Sequence, residues 1–157
     1  MIHLIFIVLH SVAGISAFIF GWICMYRLKS KSFKELLWVF LISLLGLDTF
    51  MIAAIIVDIP ILSQGQLYTF IGLTLLGLYM LYRGYRAYVV QKESNNRWRL
   101  SFINHVGFIL ISLFDGFVIV SAIDLNIPVW GIIIIGISGV IVGISGINHV
   151  KAKLSRS

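Results

Sequence analysis

Charge is scarce in this sequence. Asp, Glu, Lys and Arg together make up 11% of the 157 residues, where a soluble domain carries about 25%. A water-facing globule lacks the polar surface it needs at that level, so a soluble domain is the wrong class. Cysteine is nearly absent too. Cys24 stands alone, which excludes an intrachain disulfide and leaves a small packing residue. Pro60 and Pro128 are the two prolines, so long helices can run without interruption. There is no nucleophile elbow, phosphate loop, HExxH or CxxC pattern, which makes a hydrolase or kinase unattractive.

What is present is apolar. Hydrophobic residues make up 60% of the chain and the mean hydropathy is +1.04. Runs long enough to cross a hydrocarbon core, about 20 residues each, fall at about 2–26, 33–57, 67–82, 101–123 and 129–150. The expectation is an all-α, polytopic membrane protein forming a single bundle of five transmembrane helices. Its net charge of +6 would suggest nucleic acid in a soluble chain. Here the 12 Lys and Arg fall into three clusters, within Arg27–Lys34, Arg83–Arg99 and Lys151–Arg156. The excess of basic residues in cytoplasmic loops accounts for all of them, so nucleic acid is set aside. The same rule puts the N-terminus outside and the C-terminus inside a plasma membrane. The first span has neither a basic start nor a small-residue cleavage site, so it does not read as a signal peptide.

Polar residues inside the spans are then the informative ones. In the fourth span Ser101, His105, Ser112 and Asp115 fall within one arc of about 80° on a helix, and a stripe of that kind must face other helices or a wet cavity. His3, His10, Gly14, Ala17 and Gly21 share one face of the first span, where small residues permit a close neighbour. Asp48 interrupts the second span. A mid-span Asp costs on the order of 2.5–3.5 kcal/mol on insertion scales, so Asp48 and Asp115 need a reason. One is a proton- or cation-binding site formed by His10, Asp48 and Asp115 with Ser112. The plainer one is hydrogen bonding between helices that locks the bundle. A divalent metal on His and two carboxylates is a further reading, without a short motif to support it. Asp58 and Asp124 read as helix ends before proline.

Two segments echo each other. Leu47-Asp-Thr-Phe-Met-Ile-Ala-Ala-Ile-Ile-Val-Asp-Ile-Pro60 resembles Phe114-Asp-Gly-Phe-Val-Ile-Val-Ser-Ala-Ile-Asp-Leu-Asn-Ile-Pro128, which suggests that spans two–three and four–five are parallel repeats. Ser32 with Glu35, and Ser63 with Gln66, form capping-box patterns at the starts of spans two and three. Gly136, Gly139, Gly143 and Gly146 line one stripe of the fifth span, a surface for tight helix contact and for a homo-oligomer or a larger membrane complex. His105 and His149 each follow Ile-Asn and precede Val. Two such imidazoles at equal depth on facing helices could ligate a b-type haem. Tyr79, Tyr82, Arg83 and Arg86 form an aromatic and cationic collar that anchors a helix at the membrane interface, or binds anionic head groups.

At His10-Ser-Val-Ala-Gly14-Ile-Ser-Ala17-Phe-Ile-Phe-Gly21 and at Tyr79-Met-Leu-Tyr-Arg-Gly84-Tyr-Arg-Ala87 the chain resembles the bacterial membrane proteins of the domain-of-unknown-function 2306 family. That family is similar in opening on His-x-x-x-Gly-x-x-Ala-x-x-x-Gly and closing a later helix with Gly-Tyr-Arg. Where the family has a His-Arg pair before its second helix, this chain has Lys31-Ser-Phe-Lys-Glu35, which bears against a haem role carried over to His10. The resemblance implies membrane topology and no particular reaction. Three functions follow as expectations: proton-coupled or cation transport through the His/Asp site, a haem-binding redox protein, or a non-catalytic accessory subunit.

Overall fold

The computed structural model describes residues 2–93, 98–125 and 127–155. Of the residues singled out in the sequence, Arg97, Asn126 and Arg156 lie outside the described residues, as do the side chains of Asp124 and Lys153. Five helices follow one another: α1 (Ile2–Tyr26), α2 (Phe33–Asp58), α3 (Gln64–Glu93), α4 (Trp98–Asp124) and α5 (Val129–Ser155). All five contain a stretch long and apolar enough to cross a bilayer. Their outer surfaces are greasy to match. Ile15, Ile42, Leu75, Phe117 and Ile141 are each exposed by 59–70%, an arrangement water penalises and hydrocarbon accepts. The chain is read on these grounds as an integral membrane protein.

The helices belong to two compact units, Met1–Tyr85 and Arg86–Ser157. In the first, α1 and α2 pack antiparallel through a short connection in which Ser30 N–H donates to Arg27 O at 2.9 Å. The face of α1 expected to meet a neighbour is the one that does. Ala17 and Gly21 are buried, the Leu47 side chain lies across Gly14, and Ala13 sits against Gly46. Below them Leu37, Phe40 and Leu44 are at most 1% exposed. In the second unit α4 and α5 also run antiparallel, and α4 buries Phe102, Ile103, Val106 and Ile109 completely.

Helix ends show where local sequence rules succeed and where they do not. At α3 the expected box forms: Gln66 Oε1 accepts from Ser63 N–H at 3.1 Å while Gln66 N–H donates to Ser63 Oγ at 3.4 Å. At α2 it does not. The Ser32 side chain makes no capping bond, and the first turn is instead closed by Leu36 N–H on the Ser32 carbonyl at 3.1 Å. The α3 helix outruns the apolar span that ends near Tyr82. It continues to Glu93, and α4 begins at Trp98, so residues 83–93 and 98–100, which lie between the apolar runs, are helical.

Candidate functional site

Four hydroxyl groups within the spans are satisfied locally. Ser43, Thr49, Thr74 and Ser138 each donate to the carbonyl four residues earlier, at 2.8 Å, as hydroxyls in apolar helices do. Asp48 has no such outlet. It is 2% exposed, and neither carboxyl oxygen has a hydrogen-bond partner among the described residues. The carboxyl is housed by a glycine. Its Oδ1 occupies the place where a Cβ at Gly77 of α3 would be, so only the residue without a side chain leaves room.

His10 reaches the same level from α1. Its Nδ1 lies 2.9 Å from the carbonyl oxygen of Leu47, the peptide group that joins Leu47 to Asp48. A carbonyl can only accept, so Nδ1 carries the proton, and in the neutral ring Nε2 is left with a lone pair. At the end of the unit where α1 begins and α2 stops, His3 Nδ1 meets Asp58 Oδ2 at 2.5 Å, with side chains 40% and 15% exposed. The contact has the distance of an ion pair rather than the alignment of a hydrogen bond. Sequence reasoning put His3 and His10 on one face and Asp58 at a helix end, without pairing His3 with Asp58. The signal was available: two residues near opposite ends of adjoining spans, at one depth.

The second unit repeats the carboxyl-on-glycine motif. Asp115 of α4 lies against Gly139 of α5, its Oδ1 again where a Cβ would fall, and that oxygen is buried without a hydrogen-bond partner among the described residues. The polar arc of α4 is turned inward: Ser112 is buried and Ser101, His105 and Asp115 half-buried, while Asn104, Phe114 and Phe117 stand exposed. His10 and Asp48 thus belong to the first unit, Ser112 and Asp115 to the second.

The α4–α5 seam has three rungs: Gly107 opposite Ile147, Ile111 opposite Gly143, and Asp115 opposite Gly139. His105 and His149 each stand two residues from the Gly107–Ile147 rung, His105 half-buried and His149 exposed. Of the expected glycine stripe, Gly139 and Gly143 are in the seam, whereas Gly136 and Gly146 have nothing within 4 Å among the described residues. On α3, Tyr79 and Tyr82 stack with ring centroids 6.1 Å apart, and Arg86 is exposed beside them. Among the described residues no group of three or more His, Cys, Asp or Glu is placed to hold a metal ion. Comparison with protein-family models, curated proteins and solved structures gives no match to this chain.

Proposed function

We propose that this chain is a multi-pass protein of the plasma membrane, N-terminus outside and C-terminus inside, that binds and moves protons or small cations through buried carboxyl groups. One observation carries the reading: Asp48 is almost wholly buried with both oxygens unpartnered, in a space that Gly77 keeps open. A bare carboxylate stripped of water and partners is far more costly in hydrocarbon than a neutral or ion-paired one. The natural occupant of that space is therefore a proton or a cation. Intramembrane carboxyls of this kind belong to ion and proton pathways by default. Asp115 over Gly139 is a second carboxyl station, and the two carboxyl-on-glycine pairs fit a parallel repeat of spans two–three and four–five. The open glycines of α5, Gly136 and Gly146, suit close contact with a second copy or a larger membrane complex.

The test is proton flux into proteoliposomes carrying a pH-sensitive dye, driven by a pH or cation gradient. The purified protein should acidify the lumen faster than empty vesicles. Asp48→Asn, which keeps the shape and removes the titrating group, should bring the rate down to that of empty vesicles, and Asp115→Asn should lower it in part. Wild-type protein no faster than empty vesicles, or Asp48→Asn as fast as wild type, overturns the reading.

A further inference from the structure

Asp48 is buried, so whatever reaches it must have a route, and the two ends of the first unit offer very different ones. Toward the connection between α1 and α2 there is none made of titratable groups. No titratable side chain occurs between Ser11 and Ile23 of α1 or between Leu36 and Leu47 of α2. The space is filled instead by Ala17, Leu37, Phe40 and Leu44, all at most 1% exposed. Packing at that density admits no water. Toward the other end three titratable groups are only partly covered, the His3 side chain at 40% and Asp58 at 15% exposed and His10 half-buried, while Asp48 is at 2%. On the α3 side Asp48 meets Gly77, which carries no titratable group.

We infer that the α1–α2 seam is the outer half of the proton path, with the His3–Asp58 pair at its mouth and His10 as the intermediate station before Asp48. The inner half is closed in this conformation and opened by the alternating motion that net flux requires. The inference rests on the proposed role of Asp48. His3 and His10 are seven residues apart, about 10 Å along a helix, so water carries the proton between them. The chemistry is a single proton moved. The His3–Asp58 pair takes it from outside water; through water it reaches the lone pair on His10 Nε2, giving an imidazolium. Asp48 has no hydrogen-bond partner among the described residues, so a second water relays the proton from Nε2 to a carboxylate oxygen of Asp48, which becomes a carboxyl. His10 returns to neutral with its Nδ1 proton still on the Leu47 carbonyl, the contact that holds the ring in place. One proton enters, one carboxylate is neutralised, and no other bond changes.

The test reads the carboxyl of Asp48 itself and needs no transport activity. In lipid-reconstituted protein, the infrared carboxylic C=O band that disappears in Asp48→Asn is identified across acidic to neutral pH. Its hydrogen–deuterium exchange is then followed after a switch to D2O. His10→Ala removes the station but also the anchor on Leu47. His10→Asn is the sharper variant, because its amide can still donate to that carbonyl while the second nitrogen is gone. His10→Asn should slow exchange about a hundredfold, the low end of what a positioned proton-transfer group contributes, and His3→Ala should slow it less. Exchange as fast as wild type in both variants overturns the route and leaves Asp48 in place. Absence of any band sensitive to Asp48→Asn at every pH overturns the role of Asp48, and the route with it.

Discussion

The antiparallel pairs α1–α2 and α4–α5 are closed by different means. The α1–α2 seam carries hydrogen-bonding groups, with His10 on the Leu47 carbonyl and His3 beside Asp58. The α4–α5 seam is a ladder of glycine against isoleucine, Gly107 with Ile147 and Ile111 with Gly143, ending in Asp115 on Gly139. Between helices in lipid there is no hydrophobic drive, since acyl chains solvate Leu as well as another Leu does. Association must come from polar contacts or from backbones brought close by small residues. The first unit uses both, since Gly14 beneath Leu47 and Gly46 against Ala13 also bring its backbones close, while the α4–α5 seam relies on the second. The carboxyl of each unit follows suit. Asp48 is shut in, both oxygens unpartnered, whereas Asp115 is half-buried with one such oxygen.

If the glycine ladder is what closes α4–α5, breaking a rung should do the most damage. At Gly143 a Cβ would fall on Ile111 Cγ1, with the Ile111 Cβ also within 3.4 Å. A β-branched side chain is stiff at χ1 and cannot swing away. Gly143→Ala should therefore destabilise the protein by about 2 kcal/mol, in the range of core overpacking, read by denaturant unfolding in detergent. The corresponding change in the other seam, Gly14→Ala, meets only the end of the Leu47 side chain and should cost well under that. Equal losses at the two positions would erase the distinction between the seams. Adding Ile111→Ala to Gly143→Ala should recover much of the loss, because the two residues share one contact.

The polar seam is expected to yield more gently. His10→Ala removes one side chain–backbone hydrogen bond at 2.9 Å. Interhelical hydrogen bonds in membranes are worth about 0.6 kcal/mol on average and up to about 1.7, so a loss of about 1 kcal/mol should appear in the same unfolding measurement. A loss as large as that at Gly143 would mean that His10 holds more than the Leu47 carbonyl.

The sequence carried the spans and the contact face of α1, because apolar length and a helical period are properties of one helix at a time. His3, His10, Gly14, Ala17 and Gly21 could be put on one side by counting alone. What counting cannot supply is the register between helices. Nothing in the chain before folding says that Asp48 will land on Gly77 or Asp115 on Gly139, since the separations along the sequence differ although the outcome is the same. The same limit governs His105 and His149, whose matching sequence context gives their depth and not the direction of either ring. The end of α3 escaped for another reason. Hydropathy falls after Tyr82, and apolarity is how a span is recognised, yet Arg83, Arg86, Ala87 and Lys92 sustain a helix to Glu93 as well as leucines would.

The smallest expected effect bears on the proposed repeat. The two helices that receive the carboxyls, α3 and α5, begin differently. The start of α3 is held by the reciprocal Ser63–Gln66 contacts, while α5 opens on the Pro128 carbonyl, which accepts from Gly131 N–H at 2.8 Å. Ser63→Ala should cost about 0.5 kcal/mol, the low end for losing a capping side chain, because water replaces part of the bond at an exposed site. Ser32→Ala at α2, whose side chain makes no capping bond, should leave stability unchanged and so serves as the internal control. A difference between these two serines would show that the box at α3 contributes to holding Gly77 against Asp48. Its absence would mean that α3 is held by its packed middle, as α5 is by Gly139 and Gly143, and that the two units differ only in the seam their partner helices make.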